Sequence, residues 1–227
     1  MFRLLAENIA TVCALLPFFS RGAACNSEGA NVAIPNPEVD IPLAAVKGQE
    51  TVVVAGGCFW GIQAVYEHVR GVIRAVSGYS GGQAGTAQYE KVCSGRTGHA
   101  EAVQVFYDPS QITYGQLLKI FFSVAHDPTQ LNRQGPDVGT QYRSAIFYSS
   151  EDQKRIVLAY IEQLNKAKLF TQPIATQVVA LDAFYAAEEY HQYYAANNPD
   201  NMYIVMQDLP KVGHLRKQFP ELFVEEK

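Results

Sequence analysis

The sequence predicts an α+β fold, a two-layer sandwich of one sheet and its covering helices. Three observations carry this. Short β-branched or alternating runs and stripes at helical spacing are mixed along the chain, without the strict strand–helix alternation of a parallel sheet. The 227 residues, 48% hydrophobic and 18% charged, are enough to enclose one real core. No internal repeat divides the chain into smaller units.

Taken in order, residues 1–25 read as a signal segment. Arg3 precedes an apolar stretch at 9–19, and Gly22, Ala23 and Ala24 follow as small residues of a cleavage site. Ala24-Cys25 also resembles a lipoprotein junction, while Glu7 and Arg21 fit either scheme poorly. The expectation is export to the periplasm or cell envelope, an oxidising setting. The alternative is a poorly ordered extension on a cytoplasmic protein. Residues 26–48, with Pro35, Pro37 and Pro42, read as a linker or extended arm. The catalytic domain is expected over 49–227.

That domain opens with a β-branched run at 51–55, a buried strand, which Gly56-Gly57 breaks. A helix is expected over 58–69, ending at Gly71. Strands are expected at 72–78 and 101–107, with a loop rich in Gly, Ser and Thr over 79–98 between them. Tyr114, Leu117, Leu118, Phe121 and Phe122 recur at helical spacing. Pro128, Gly135, Pro136 and Gly139 make 126–141 a long loop. A strand is expected at 142–148, and a helix carries the stripe Ile156, Tyr160 and Leu164. A strand at 174–180, a helix at 183–196 and a short helix at 210–219 complete the reading.

The formal charge of −4 and the pI near 5.7, with no basic block, argue against a nucleic-acid partner. No apolar run reaches the roughly 18 residues that span a bilayer. Cys13, Cys25, Cys58 and Cys93 are far apart and form no CxxC pair, which argues against a zinc ribbon, a thioredoxin-like motif and a disulfide scaffold. His99-Ala100-Glu101 matches half of a zinc-deaminase signature, but the Pro-Cys-x-x-Cys half is missing, so no metal is expected.

Cys58 carries the chemistry. It follows a Gly-Gly turn at the start of a helix, where unpaired N–H groups and the helix dipole favour negative charge, so its thiol pKa is expected to be lowered. The plain alternative is a buried structural cysteine. Phe59 and Trp60 follow at once; they either clasp a small apolar group or pack helix on sheet. Glu101, at the head of a strand, would have a raised pKa if rings shielded it and would then carry a proton. Tyr89 and Tyr142 border Gly-rich loops, where phenol hydroxyls either donate to a developing oxyanion or stay wet.

With these residues collected, the chain resembles the peptide methionine sulfoxide reductases of the A class. The resemblance spans about 50–223. It rests on Gly57-Cys58-Phe59-Trp60-Gly61, on Cys93-Ser94-Gly95 with Thr97-Gly98-His99-Ala100-Glu101-Ala102, on His126-Asp127-Pro128, and on Gly139-Thr140-Gln141-Tyr142-Arg143-Ser144. It implies a ferredoxin-like centre and reduction of methionine-S-sulfoxide, free or in proteins, by a monomer with no bound cofactor. An external thiol, usually thioredoxin, would be the reductant. By the same match Cys58 would be the nucleophile and Glu101 the proton donor. Tyr89 and Tyr142 would hold the sulfoxide oxygen, Phe59 and Trp60 the methyl, and Asp137 would support the site. Cys58 would pass through a sulfenic acid. Many members of that class carry recycling cysteines near the C-terminus, and here none follows Cys93. Cys93 is expected to pack under its loop, leaving an external thiol to attack the sulfenic acid directly.

Two other readings stay open at this point. A cysteine-dependent acyl transferase or hydrolase would pair Cys58 with His99, His126 or His191. A binding module for oxidised or apolar peptides would never form a sulfenic acid.

Overall fold

The computed structural model describes residues 34–225. The signal segment expected at 1–25, with Cys13 and Cys25, lies outside the described residues, as does the first part of the arm.

The centre of the fold is built from β1 (Glu50–Ala55), α1 (Phe59–Glu67), β2 (Val72–Ser80), β3 (Ala100–Tyr107), α3 (Tyr114–Ile120) and β6 (Ala145–Tyr148). The strands lie in the order β6-β1-β3-β2, each antiparallel to its neighbours. Two split strand–helix–strand units give this order, which is the ferredoxin-like arrangement. The sheet is widened at both ends. β7 (Gln177–Ala180) joins β6 in parallel, and β8 (Phe184–Ala186) joins β2 antiparallel. The remaining elements are α2 (Tyr89–Val92), the two-residue strands β4 (Arg133–Gln134) and β5 (Asp137–Val138), α4 (Glu151–Ala167), α5 (Tyr194–Asn197) and α6 (Leu209–Gln218).

The main core lies between the sheet and the layer of α1, α3 and α4. Val52, Val54, Val103, Val105 and Ile146 meet Ile62, Leu117, Phe122, Ile156 and Tyr160 there, all buried. Each such aliphatic side chain contributes about 1.5–3 kcal/mol relative to exposure. A smaller cluster of Val53, Ala55, Ala100, Ala102, Ala145 and Phe147 occupies the other face.

Local chemistry sets the helix ends. Thr113 and Gln116 form a reciprocal capping box at the start of α3. Asp40 of the preceding arm joins it, accepting from the Gly115 N–H at 2.8 Å and from the Thr113 hydroxyl. Ser150 caps α4, which ends on Lys168 in the left-handed region.

Three expectations are corrected. Residues 183–196 are not one helix: Phe184-Tyr185-Ala186 pair with β2 as an edge strand, and only Tyr194–Asn197 are α-helical. Aromatic pairing with a neighbouring strand outweighs the alanines and glutamates that follow. The loop at 126–141 contains a small hairpin, β4–β5. The loop at 79–98 contains α2.

Candidate active site

β1 delivers the chain to its key turn. Gly57 sits at φ +96°, and a Cβ there would come within 2.6 Å of the Gln134 side chain. Only glycine fits both demands. Cys58 follows as the N-cap of α1, buried with 9% of its surface exposed. On β3, Val103, Val105 and Tyr107 face the main core, and the period of two puts Glu101 on that same face at the end of the row. Glu101 is 1% exposed, and its Oε2 accepts the Phe59 backbone N–H at 3.1 Å. The Cys58 thiol feels the charge of the same carboxyl.

The electrostatics follow from this burial. Desolvation pushes Glu101 up to about 8; the Phe59 N–H opposes, while Asp137 adds to the rise. The carboxyl is therefore mostly protonated at neutral pH. The expectation of a lowered thiol pKa at Cys58 is corrected. Burial pushes the thiol well up, and Glu101 and Asp208 add to it; the Trp60 N–H and Lys211 pull the other way. The helix terminus acts as the sequence implies, but Glu101 takes its first N–H and burial outweighs the rest.

Phenols line the remaining sides. Tyr89, the first residue of α2, is half-buried and held well above its usual pKa, first by burial and then by a hydrogen bond with Cys93. Tyr142 closes the turn Thr140–Tyr142 and is likewise held up by burial and then by Glu101. Both remain hydroxyl donors at any working pH. Asp137 on β5 accepts a hydrogen bond from Tyr203. Every site residue expected from the sequence thus belongs to one cluster around Cys58 and Glu101.

Phe59 is fully buried, tilted against Tyr79 and His191. Trp60 is half-buried, stacked on Tyr194 at 3.9 Å between ring centroids and edge-on to Tyr203. Its indole N–H donates to His191 Nδ1 at 3.2 Å. Glu188 ties this wall to the sheet, accepting from the Tyr89 N–H at 2.9 Å and the Tyr79 hydroxyl at 2.8 Å. The site therefore joins an apolar aromatic wall to a mostly protonated carboxyl and two phenol donors around one thiol.

Known proteins resemble this chain throughout the domain. The family model described as peptide methionine sulfoxide reductase matches residues 50–222. The chain belongs to the peptide methionine sulfoxide reductase family. The peptide methionine sulfoxide reductase MsrA 2 of Mesorhizobium japonicum is 58% identical over 181 residues, 80% of this chain and 93% of that protein. The protein of the same name from Synechocystis sp. is 53% identical over 190 residues, 83% of this chain and 89% of that one. Among solved structures, reduced Mxr1 from Saccharomyces cerevisiae superposes with a TM-score of 0.61 at 34% identity, covering 72% of this chain and 92% of that one. Methionine sulfoxide reductase A of Corynebacterium diphtheriae gives 0.58 at 35% identity, covering 76% and 89%. This enzyme is a peptide-methionine (S)-S-oxide reductase, a thiol-dependent oxidoreductase acting on methionine sulfoxide.

Among the described residues no histidine is hydrogen-bonded to Cys58, the contact the hydrolase reading needs. His126 Nδ1 donates to the Phe121 carbonyl at 3.0 Å and its Nε2 accepts from the Ser144 hydroxyl at 2.7 Å. Burial lowers its pKa to about 4, so the ring stays neutral. His99 is bound to the Gln83 carbonyl, and His191 to Trp60. Among the described residues no group of three or more His, Cys, Asp or Glu is arranged to hold a metal.

Cys93 requires another correction. It is exposed rather than packed under its loop, because α2 ends there and turns the residue outward against the Tyr89 hydroxyl. Sequence reasoning offered His191 only as a hydrolase partner and missed Tyr194, Tyr203, Glu188, Asp208 and Lys211. All of them reach the reductase site from the segment after β8, and the one available signal was its density of rings and charges.

Proposed function

We propose that Cys58 is the nucleophile and Glu101 the acid of sulfoxide reduction. The observation that carries this reading is a buried carboxyl, mostly protonated at neutral pH, fixed by the first N–H of the helix that Cys58 caps. Tyr89 and Tyr142 donate to the sulfoxide oxygen, and Phe59 and Trp60 take the S-methyl. Asp137, held by Tyr203, keeps its hairpin against the pocket. Glu101 gives its proton to the oxygen, which makes the sulfur electrophilic. Cys58 attacks the sulfur and returns its own proton to Glu101. In the adduct the hydroxyl passes from the substrate sulfur to the Cys58 sulfur: the substrate S–O bond and the transient S–S bond break, methionine leaves, and Cys58 is left as a sulfenic acid. The thiol and the sulfoxide thus become a sulfenic acid and a sulfide, with no other reactant.

An external dithiol of the thioredoxin type then closes the cycle. Its first thiol displaces water from the sulfenic acid, and its second releases Cys58 and leaves a disulfide. Free methionine sulfoxide and oxidised proteins are both substrates. A monomer suffices for these steps, since Cys58, Glu101, Tyr89 and Tyr142 all belong to one chain.

One equivalent of methionine-S-sulfoxide, without reductant, is expected to yield methionine and a single sulfenate, which peptide mapping after dimedone trapping locates on Cys58. Methionine formed with the label on another residue, or on none, would remove Cys58 from this role. Export to the cell envelope is proposed from the apolar stretch at 9–19 and the small residues after it. Mass spectrometry of the native protein is expected to find a new N-terminus shortly after that stretch; an intact Met1 would show that it is retained.

A further inference from the structure

Beneath the first turn of α1 lies a buried ion pair that the steps above leave unused. Asp208 closes the π-helical turn Ile204–Asp208 and is completely buried. Lys211, in the first turn of α6, has 13% of its side chain exposed and donates from Nζ to Asp208 Oδ1 at 3.1 Å. Asp208 Oδ2 is buried and accepts no hydrogen bond among the described residues.

The pair is seated on Gly61, the third residue of α1. A Cβ at that position would come within 2.1 Å of Asp208 Oδ1 and 2.6 Å of Lys211 Nζ. The charges reach the helix terminus because this residue has no side chain. Stability does not explain such an arrangement. Removing two charges from water costs several kcal/mol per ion, and well-packed apolar residues in their place are often as stable or more so.

We propose that Lys211 is a positioning residue for the sulfoxide step: held by Asp208 against Gly61, it stabilises the negative charge that the Cys58 sulfur takes on as it loses its proton. The proposal rests on Cys58 being the nucleophile. Around that sulfur, Glu101 on β3 and Asp208 are the acids, and Tyr89, Tyr142 and Tyr203 are phenols that stay neutral. Lys211 is the cation that, with the Trp60 N–H, offsets them. The ring of His126 also feels Lys211 and stays uncharged. Asp208 holds the cation in place, and at the resting sulfur its own charge outweighs that of Lys211.

The test is the pH dependence of Cys58 alkylation by iodoacetamide, read by peptide mass spectrometry on the full reduced chain. Lys211→Met is expected to raise the apparent thiol pKa by about one pH unit, roughly tenfold slower alkylation at neutral pH. Asp208→Asn is expected to lower it, Lys211→Arg to restore it, and the double variant Asp208→Asn/Lys211→Met to fall between the two single changes. If Lys211→Met does not fold, the Asp208→Asn and double variants carry the comparison. Folded variants whose alkylation profiles all coincide with wild type would overturn the proposal. Turnover of the alkylated wild type separates the two ideas. Full activity after Cys58 is blocked removes the nucleophile assignment and this proposal with it. Lost activity with unmoved profiles removes Lys211 alone.

Discussion

Glu101 Oε2 accepts the Phe59 N–H at 3.1 Å, so the carboxyl beside Cys58 also closes the N-terminus of α1. One side chain from β3 therefore fixes where the helix begins and stands next to the sulfur that the helix presents. An acid tied in this way keeps its geometry whether or not it holds its proton, since the Phe59 N–H can donate to either form.

Cys58→Ser is expected to abolish sulfoxide reduction while leaving the fold intact. A hydroxyl is a far poorer nucleophile than a thiol at neutral pH, and the small change in volume leaves the Gly57 turn untouched. The measurement is methionine formation with dithiothreitol beside a thermal melt. Substantial turnover by the folded variant would contradict the assignment.

Glu101→Gln is expected to slow the sulfoxide step on the order of a hundredfold, because an amide has no proton to give. A pre-steady-state rate within a factor of about two of wild type would exclude the acid role. In wild type the rate is expected to fall as pH rises through about 8, where Glu101 ionises. Stability moves in the same direction. A folded pKa raised from 4.5 to about 8 gives stability that is fully present below 4.5 and lost as pH climbs through 8. The glutamine variant has no such loss, so its melting temperature relative to wild type is expected to improve steadily across that window.

Trp60→Ala is expected to raise KM for methionine sulfoxide by about tenfold, with a smaller effect on kcat, because the ring offers contact rather than a proton. Dimethyl sulfoxide, which has the methyl without the amino-acid body, is the comparison substrate. Unchanged constants for both would reduce Trp60 to packing against Tyr194.

Cys93→Ser is expected to retain dithiothreitol-driven turnover. Cys93 is exposed at the end of α2 with the Tyr89 hydroxyl against it, and an external thiol meets the Cys58 sulfenic acid without it. Mapping of wild type oxidised by one equivalent of substrate checks this: rapid formation of a Cys58–Cys93 disulfide with no trappable sulfenate would make Cys93 the resolving thiol instead.

Much of this arrangement was legible in the residues. The β-branched run, the Gly56-Gly57 break and the segment from Cys58 to the stop at Gly71 mark the strand, turn and helix that present the sulfur. Glu101 was legible as a strand-head carboxylate, and its raised pKa follows from burial as expected. The direction of the shift at Cys58 was not, because it depends on burial and on a carboxyl 42 positions beyond Phe59 along the chain. Trp60 and His191 are 131 positions apart, and Asp137 and Tyr203 are 66 apart. No periodicity joins residues across such distances. The exposure of Cys93 was missed for a local reason: four residues of helix inside a Gly-rich stretch are too few to leave a pattern.

The raised thiol at Cys58 bears on what the reductase ignores. Peroxides and adventitious electrophiles react with thiolates, and a sulfur kept protonated by burial and by Glu101 offers them little. A sulfoxide differs from these in having a basic oxygen; in the proposed steps it accepts the Glu101 proton and frees that carboxylate to receive the one on sulfur. On that proposal, selectivity against the oxidants that create its substrate lies in the order of two proton transfers.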